Sequence, residues 1–125
     1  MRVLLVDDSP IIRCIQRRCL ATLGEVEFAE AADGVEALTL LASQPPFDLV
    51  VIDWNMPNMD GITLVGKIRE RDKRIPLIMC TADGEKRHVM AAVRAGVNNY
   101  IVKPFAPAGL LEKVQQTIEK ARVVA

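Results

Sequence analysis

The sequence predicts a doubly wound α/β fold, a five-stranded parallel sheet with helices on both faces. Three observations predict it. Five strand-like segments alternate with five helical ones along the 125 residues. The central segment, LVVI at residues 49–52, is apolar at every position, as a strand covered on both faces must be. Gly, Pro, Asn and Asp gather at the junctions between segments. Such alternation specifies parallel strands joined by helical crossovers. Right-handed crossovers leave every strand C-terminus along one edge, and ligand crevices of open sheets lie beyond that edge.

Each element has its own warrant. RVLLV, residues 2–6, is the first strand. Ser9 then reads as an N-cap and Pro10 as a first helical residue. Ile11, Ile12, Ile15, Leu20 and Leu23 supply one apolar stripe, and Gly24 ends that helix. EVEFA, residues 25–29, is a short strand with weaker, alternating character. Gly34 to Ala42 is helical, with Leu38 and Leu41 on one face, and the prolines of QPP stop it. After LVVI comes a turn rich in Pro, Asn, Asp and Gly. Ile62, Val65 and Ile68 mark a third helix, and IPLIMC, residues 75–80, a fourth strand. Glu85 to Ala95 is helical and stops at Gly96. NYIV, residues 99–102, is the last strand. Leu111, Val114, Ile118 and Ala121 stripe the last helix.

The totals bound the function. One domain spans residues 1–125. Sixteen basic residues balance sixteen acidic ones, so no net charge draws the chain to nucleic acid or to a membrane surface. The basic pair Arg17–Arg18 and the run RERDKR read as solvated helix ends. The longest apolar runs are strand-sized, too short to span a bilayer, and Asp7 and Asp8 cut off the only candidate leader. Cys14, Cys19 and Cys80 are odd in number and lack C-x-x-C spacing, which predicts buried thiols in a reducing, cytoplasmic setting.

Chemistry collects at the predicted edge. The residues just past the strands are Asp7 and Asp8, then Asp53, Thr81 and Lys103, while the second strand offers only Ala29 and Glu30. Singly, each has an ordinary role: Asp8 and Asp83 as helix caps, Thr81 as a strand end, Lys103 as a surface charge. Together they are costly. Two carboxylates about 5 Å apart repel by roughly 3 kcal/mol at an effective dielectric near 20. Lys103 offsets one charge, and a hard divalent cation, Mg²⁺ or alternatively Mn²⁺, is expected to offset the rest. The scattered cysteines and the single His88 argue against zinc, and His88 reads as a surface or packing residue. The DDSP loop has no glycine and carries two negative charges, so no bound nucleotide is expected. An acidic pocket with a hard cation, a hydroxyl and a lysine suits phosphoryl transfer to a carboxylate, and Asp53 is the expected acceptor.

These residues resemble a known family. DD after the first strand, D-x-x-M-P after the third, T-A after the fourth and K-P-F after the fifth resemble receiver domains of two-component response regulators. The likeness covers essentially the whole chain, and VVIDWNMPNMDG and NYIVKPF are most similar to the single-domain chemotaxis type. The resemblance implies a flavodoxin-like (βα)5 sheet in strand order 2-1-3-4-5. It implies that Asp53 takes the phosphoryl group from a histidine kinase or phosphotransfer protein. Asp8, Asp53 and the main-chain carbonyl of Asn55 would bind Mg²⁺ directly, with Asp7 reaching it mainly through water. Thr81 and Lys103 would contact the phosphoryl group, and Tyr100 would be an aromatic switch turning inward as Thr81 moves. A cis Lys103–Pro104 bond is implied as well. Asn55 and Asp83 flank the site where water would attack, consistent with self-dephosphorylation. Downstream targets would dock on the face of the fourth helix, fifth strand and fifth helix.

The chain ends just after its last helix, which leaves two readings, a stand-alone receiver or part of a longer regulator; the closing RVVA fits either. Two rival functions remain. A metal-dependent phosphatase would need a second acid or base beside the nucleophile, as in D-x-D, where DWN offers an amide. A pure interaction module would bind only a structural cation at the acidic edge. The phosphoacceptor reading makes the chain a signalling protein rather than a multiple-turnover enzyme.

Overall fold

The structure, a computed structural model, describes residues 1–124, with side chains described through Ala121. Ala125, the last residue of RVVA, lies outside the described residues. The strands are β1 (Arg2–Val6), β2 (Glu27–Ala31), β3 (Leu49–Ile52), β4 (Leu77–Thr81) and β5 (Asn99–Val102). The helices are α1 (Pro10–Leu20), α2 (Gly34–Ser43), α3 (Gly61–Arg71), α4 (Lys86–Ala95) and α5 (Pro107–Val124), with a 3-10 turn at Ala21–Leu23 after α1. Every strand pair is parallel and the order is β2-β1-β3-β4-β5. The expected flavodoxin-like, doubly wound sheet is therefore present.

Successive strand side chains alternate between two cores. Leu4, Val6, Val50, Ile52, Leu77 and Met79 face Leu64, Val65, Ile68 and Ala92 of α3 and α4. Val3, Leu5, Leu49, Val51, Ile78 and Cys80 face Leu20, Leu110 and Val114 of α1 and α5. All of β3 and β4 is buried, which is why those strands read as unbroken apolar runs.

Several local expectations are corrected. The buried face of α1 carries Gln16, Cys19 and Leu20, while Ile11 is 73% and Ile15 43% exposed. Residues 12, 16, 19 and 23 share one line at a period of 3.6, and 11 and 15 lie off it, so a buried glutamine displaced two isoleucines from the expected stripe. The helix also ends at Leu20, with Gly24 (φ +119) closing the turn beyond it. β2 runs two residues later than EVEFA, because pairing Arg2 with Glu27 sets its register as a half-exposed edge strand. The residue that matters beyond it is accordingly Asp33, which caps α2 by accepting from the Glu36 amide at 2.9 Å and accepts from Asn58 Nδ2 at 2.6 Å. Finally, Cys14 is exposed on α1, while Cys19 and Cys80 are buried as expected. Ser9, not Asp8, caps α1. Asp83 accepts from the Glu85 amide in the loop and is not the cap of α4, whose N-cap position is Glu85.

Gly61 holds α3 against the end of β3. A Cβ there would stand 2.2 Å from the Asp53 carbonyl oxygen and 2.9 Å from Trp54 Cα. The Gly61 amide also donates to the Trp54 carbonyl at 2.7 Å. Gly66, inside α3, faces open space. Gly61→Ala is therefore expected to destabilise by about 2–3 kcal/mol, since main-chain atoms cannot yield, whereas Gly66→Ala should stabilise by about 0.5–1 kcal/mol. Urea unfolding of the two variants checks both signs.

Candidate functional site

The ladder that builds the sheet also builds the site. Val6 pairs with Ile52, so Asp7 and Asp53 leave adjacent strands side by side. The pairing continues one residue further, with the Asp53 amide donating to the Val6 carbonyl at 2.9 Å and the Asp7 amide to the Ala31 carbonyl at 3.1 Å. On the other flank Thr81 pairs with Val102, and the Lys103 amide donates to the Thr81 carbonyl at 2.8 Å. The Lys103–Pro104 bond is cis.

Lys103 Nζ donates to Asp7 Oδ2 at 2.6 Å and lies 3.4 Å from Asp53 Oδ2. The second oxygen of Asp7 accepts from the Ser9 amide at 2.9 Å, and that of Asp53 from the Trp54 amide at 2.8 Å. Arg13 braces the group from α1, donating to the Asp7 carbonyl and to Glu30 Oε1. Asp7 is 1% and Asp53 7% exposed. Asp8 is exposed and makes no side-chain hydrogen bond or ion pair among the described residues. Carboxylate oxygens of Asp7, Asp8 and Asp53 lie within 4.8 Å of one another.

Three carboxylates gather here, and one ammonium reaches two of them. Burial pushes the Asp53 carboxyl above its ordinary value; the Lys103 charge pulls it down and Asp7 pushes it up, with smaller stabilising contributions from Thr81 and Lys103. Burial works to lower Lys103, but its hydrogen bond to Asp7 and the charges of Asp53 and Asp7 outweigh this and raise it. The ammonium is thus held charged. The unspent negative charge, the hard oxygen donors and the unpartnered Asp8 carboxylate fit a divalent cation. Asn55, two residues beyond Asp53, is exposed in the loop after β3.

A second group of contacts leads away from the acidic edge. Thr81 is fully buried, and its hydroxyl accepts from the Asp83 amide at 3.5 Å. Tyr100 already points inward, packed in the core beside β4, and its hydroxyl donates to the Asp83 carbonyl. Burial and the nearby Asp83 and Asp53 charges push the phenol up to about 12, so it remains a donor. Residue 83 therefore joins Thr81, Tyr100 and His88, whose Nδ1 meets Asp83 Oδ2. The sequence offers Asp83 as a helix cap or as a residue flanking the site, not as this junction. Arg13 escaped that reading too, although its place one turn into α1 is the signal that could have found it. The remaining expected residues, Asp7, Asp8, Asp53, Thr81 and Lys103, do converge.

This fold and this arrangement of acids, hydroxyl and lysine define a receiver. Residues 3–115 match the response regulator receiver domain family, and the chain belongs to it. It is similar to a chemotaxis protein CheY homolog of Campylobacter jejuni, 45% identical over 120 residues that cover 94% of this chain and 92% of that one. Chemotaxis protein CheY1 of Helicobacter pylori is 47% identical over 117 residues, covering 92% and 94%. Among solved structures, a CheY-like receiver domain protein from Methanospirillum hungatei superposes with a TM-score of 0.91 at 28% identity, covering 99% of this chain and 98% of that one. The chain is thus a phosphorelay signalling domain, and accepting a phosphoryl group is the role of its family.

The raised Asp53 carboxyl has a consequence for stability. The native state holds that proton more tightly than the unfolded chain, so stability falls as pH rises through the ordinary aspartate value of about 3.9 and on to the raised one. In EDTA at neutral pH, Asp53→Asn is expected to stabilise by about 1–2 kcal/mol, the like-charge term less what Lys103 offsets. The difference from wild type should vanish below about pH 3.9, where the carboxyl is protonated in both states. Urea midpoints measured across pH check both the sign and the window.

Proposed function

We propose that Asp53 is the phosphoacceptor and that the loop after β4 reports its state. An Asp53 oxygen attacks phosphorus on a donor phosphohistidine. The P–O bond forms as the P–N bond breaks, and the imidazole keeps the electron pair and takes up a proton. Lys103 Nζ, 3.4 Å from Asp53 Oδ2, neutralises charge on the transferring oxygens. Asp8, Asp53 and the Asn55 carbonyl would hold Mg²⁺, or Mn²⁺ in its place, and Asp7 would reach it through water. The occupied oxygens of Asp7, one on Lys103 and one on the Ser9 amide, support that indirect role. The cation supplies further neutralisation when bound. In the reverse sense, water attacks phosphorus, the bond to Asp53 breaks and inorganic phosphate leaves, with Asn55 and Asp83 flanking the approach. This is self-dephosphorylation of a signalling protein, not turnover of a metabolic substrate.

The signal follows from added charge. An aspartyl phosphate brings about 1.5–2 negative charges to the edge. Thr81 donates to it, and the movement reaches Asp83 and Tyr100 through the 3.5 Å and hydroxyl–carbonyl contacts already made. Gly84 packs against Val102, where a Cβ would stand 3.2 Å from a methyl, so loop and β5 move together. Met90 and Val93 on α4 and Val102 on β5 are exposed apolar side chains, which supports the α4-β5-α5 face as the docking surface for a downstream protein. A kinase or phosphotransfer protein supplies the phosphoryl group. All three cysteines are free, which suits the cytoplasm, and no helix among the described residues is long and apolar enough to cross a membrane.

The observation that carries this reading is the convergence of Asp7, Asp8 and Asp53, with Lys103 against two of them. Incubation with acetyl phosphate and Mg²⁺ is expected to add one phosphoryl group, seen by intact mass, and Asp53→Asn to abolish it. Asp8→Asn should leave the fold intact and weaken Mg²⁺ binding at least about tenfold, the loss of one anionic ligand at roughly 1.4 kcal/mol. Labelling that persists in Asp53→Asn would sink the assignment.

A further inference from the structure

The loop before α4 carries a second convergence of donors, whose ligand atoms are not those of the acidic edge. Asp83, Glu85 and His88 each offer a ligand atom within 4.8 Å of the others. His88 Nδ1 meets Asp83 Oδ2 and lies 3.4 Å from Glu85 Oε2, so one imidazole nitrogen faces two carboxylates. Asp83 is oriented for this: its other oxygen accepts from the Glu85 amide at 3.0 Å, and that bond, with the His88 contact, holds its carboxyl below the usual range. The His88 ring packs beside Trp54, with centroids 5.4 Å apart. His88 is the only histidine and Trp54 the only tryptophan of the chain.

We propose that Asp83, Glu85 and His88 form a binding site for a borderline divalent cation such as Zn²⁺ or Ni²⁺, separate from the acidic edge. This departs from the expectation that His88 is a surface or packing residue and that its isolation argues against zinc. An imidazole nitrogen with two carboxylate oxygens favours late first-row ions over Mg²⁺, which prefers oxygen donors and keeps its waters. The spacing suits such an ion. Two ligand atoms on a tetrahedral centre at about 2.0–2.1 Å stand about 3.3–3.4 Å apart, and the His88–Glu85 separation is 3.4 Å. The closer Asp83 contact opens by small rotations of partly exposed side chains. The cation takes the Nδ1 lone pair, with the ring proton carried on Nε2, and stands between the imidazole and the two carboxylates. The two anionic ligands leave no excess positive charge to bury, and the site stays open to water for its remaining positions.

The lone tryptophan makes the site readable without reference to phosphorylation. The protein is used untagged and in a Cys14→Ser background, because the exposed Cys14 thiol also takes borderline metals. Ni²⁺ titration should quench Trp54 fluorescence with a single saturating phase at one equivalent, and millimolar Mg²⁺ should not compete it away. His88→Gln and Glu85→Gln should each shift that midpoint at least about tenfold, while both variants keep the wild-type circular dichroism and Mg²⁺ response. Asp8→Asn should leave the Ni²⁺ midpoint unchanged. Ni²⁺ quenching that survives in both His88→Gln and Glu85→Gln, or that disappears in Asp8→Asn, would overturn the proposal by placing the ion at the acidic edge. Calorimetry with Zn²⁺ checks the same stoichiometry, and absence of heat together with absence of quenching would overturn it as well.

Discussion

The ion pair between Lys103 and Asp7 closes this molecule's working edge. It joins residues 96 positions apart, at 2.6 Å, with Asp7 almost wholly buried. A buried pair of this kind is weak evidence for stability, because desolvation offsets much of the Coulomb gain, yet removing one partner is expensive. Here each partner is doubly committed. Asp7 also caps the turn through the Ser9 amide, and Lys103 also faces Asp53. The arrangement leaves more negative charge than the lysine neutralises, and it does so where β1, β3, β4 and β5 all end. Selection for stability alone would not place a half-neutralised Asp53 beside Asp7. The tension is what makes the edge receptive to a cation and, on the proposed reading, to a phosphoryl group.

Much of this edge was legible because parallel sheets convert sequence position into spatial position. Once LVVI was read as a strand covered on both faces, Asp53 had to emerge beside whatever followed the flanking strands. What was not legible depended on side-chain contacts that no periodicity encodes. The α1 stripe was misread because Gln16 takes a core position that two isoleucines appear better suited to by type, though not by angle. β2 was misplaced by two residues because an edge strand with alternating polarity carries little register information of its own; pairing with Arg2 supplies it. The shift concealed Asp33, and with it the bond to Asn58, a residue at φ 68 in the loop that leads to α3. His88 looked inert because its ligand-like neighbours lie three and five positions back, across the start of a helix. Spacing of that kind has no motif.

Residue 83 shows how much a main chain can do that a side-chain motif cannot announce. Its amide reaches Thr81, its carbonyl receives Tyr100 and its carboxylate meets His88. Only the last of these depends on its being aspartate. Any residue but proline at that position would couple the hydroxyl to the phenol, but this one also ties the loop to the first turn of α4. Tyr100 stands inward with that contact in place, so its orientation is set by the loop as well as by packing against β4. A loop held at three points can be released or tightened from any of them, and coupling between two sites requires such a shared element.

The two halves of the site differ in how firmly they are held, and the difference suits a device that receives in one place and reports in another. Asp53 sits on a strand buried throughout, its amide in the ladder, its next residue clamped by the Gly61 amide at 2.7 Å, with no room for a Cβ between them. Nothing there can move without moving α3. Thr81 ends an equally buried strand, but beyond it no ladder continues: the loop is held by hydrogen bonds through residue 83 alone, to Thr81, Tyr100 and His88, and runs into an exposed Glu85 and a helix start with no side-chain cap. With no side-chain cap, this start is closed only by main-chain bonds such as that from the His88 amide to the Glu85 carbonyl at 2.9 Å, so its first turn is cheap to rearrange. An acceptor that yielded would spend its added charge on local relaxation. On the proposed reading, a rigid acceptor beside a loop fastened only by side-chain contacts passes the strain on to the loop's neighbours, Val102 and α4.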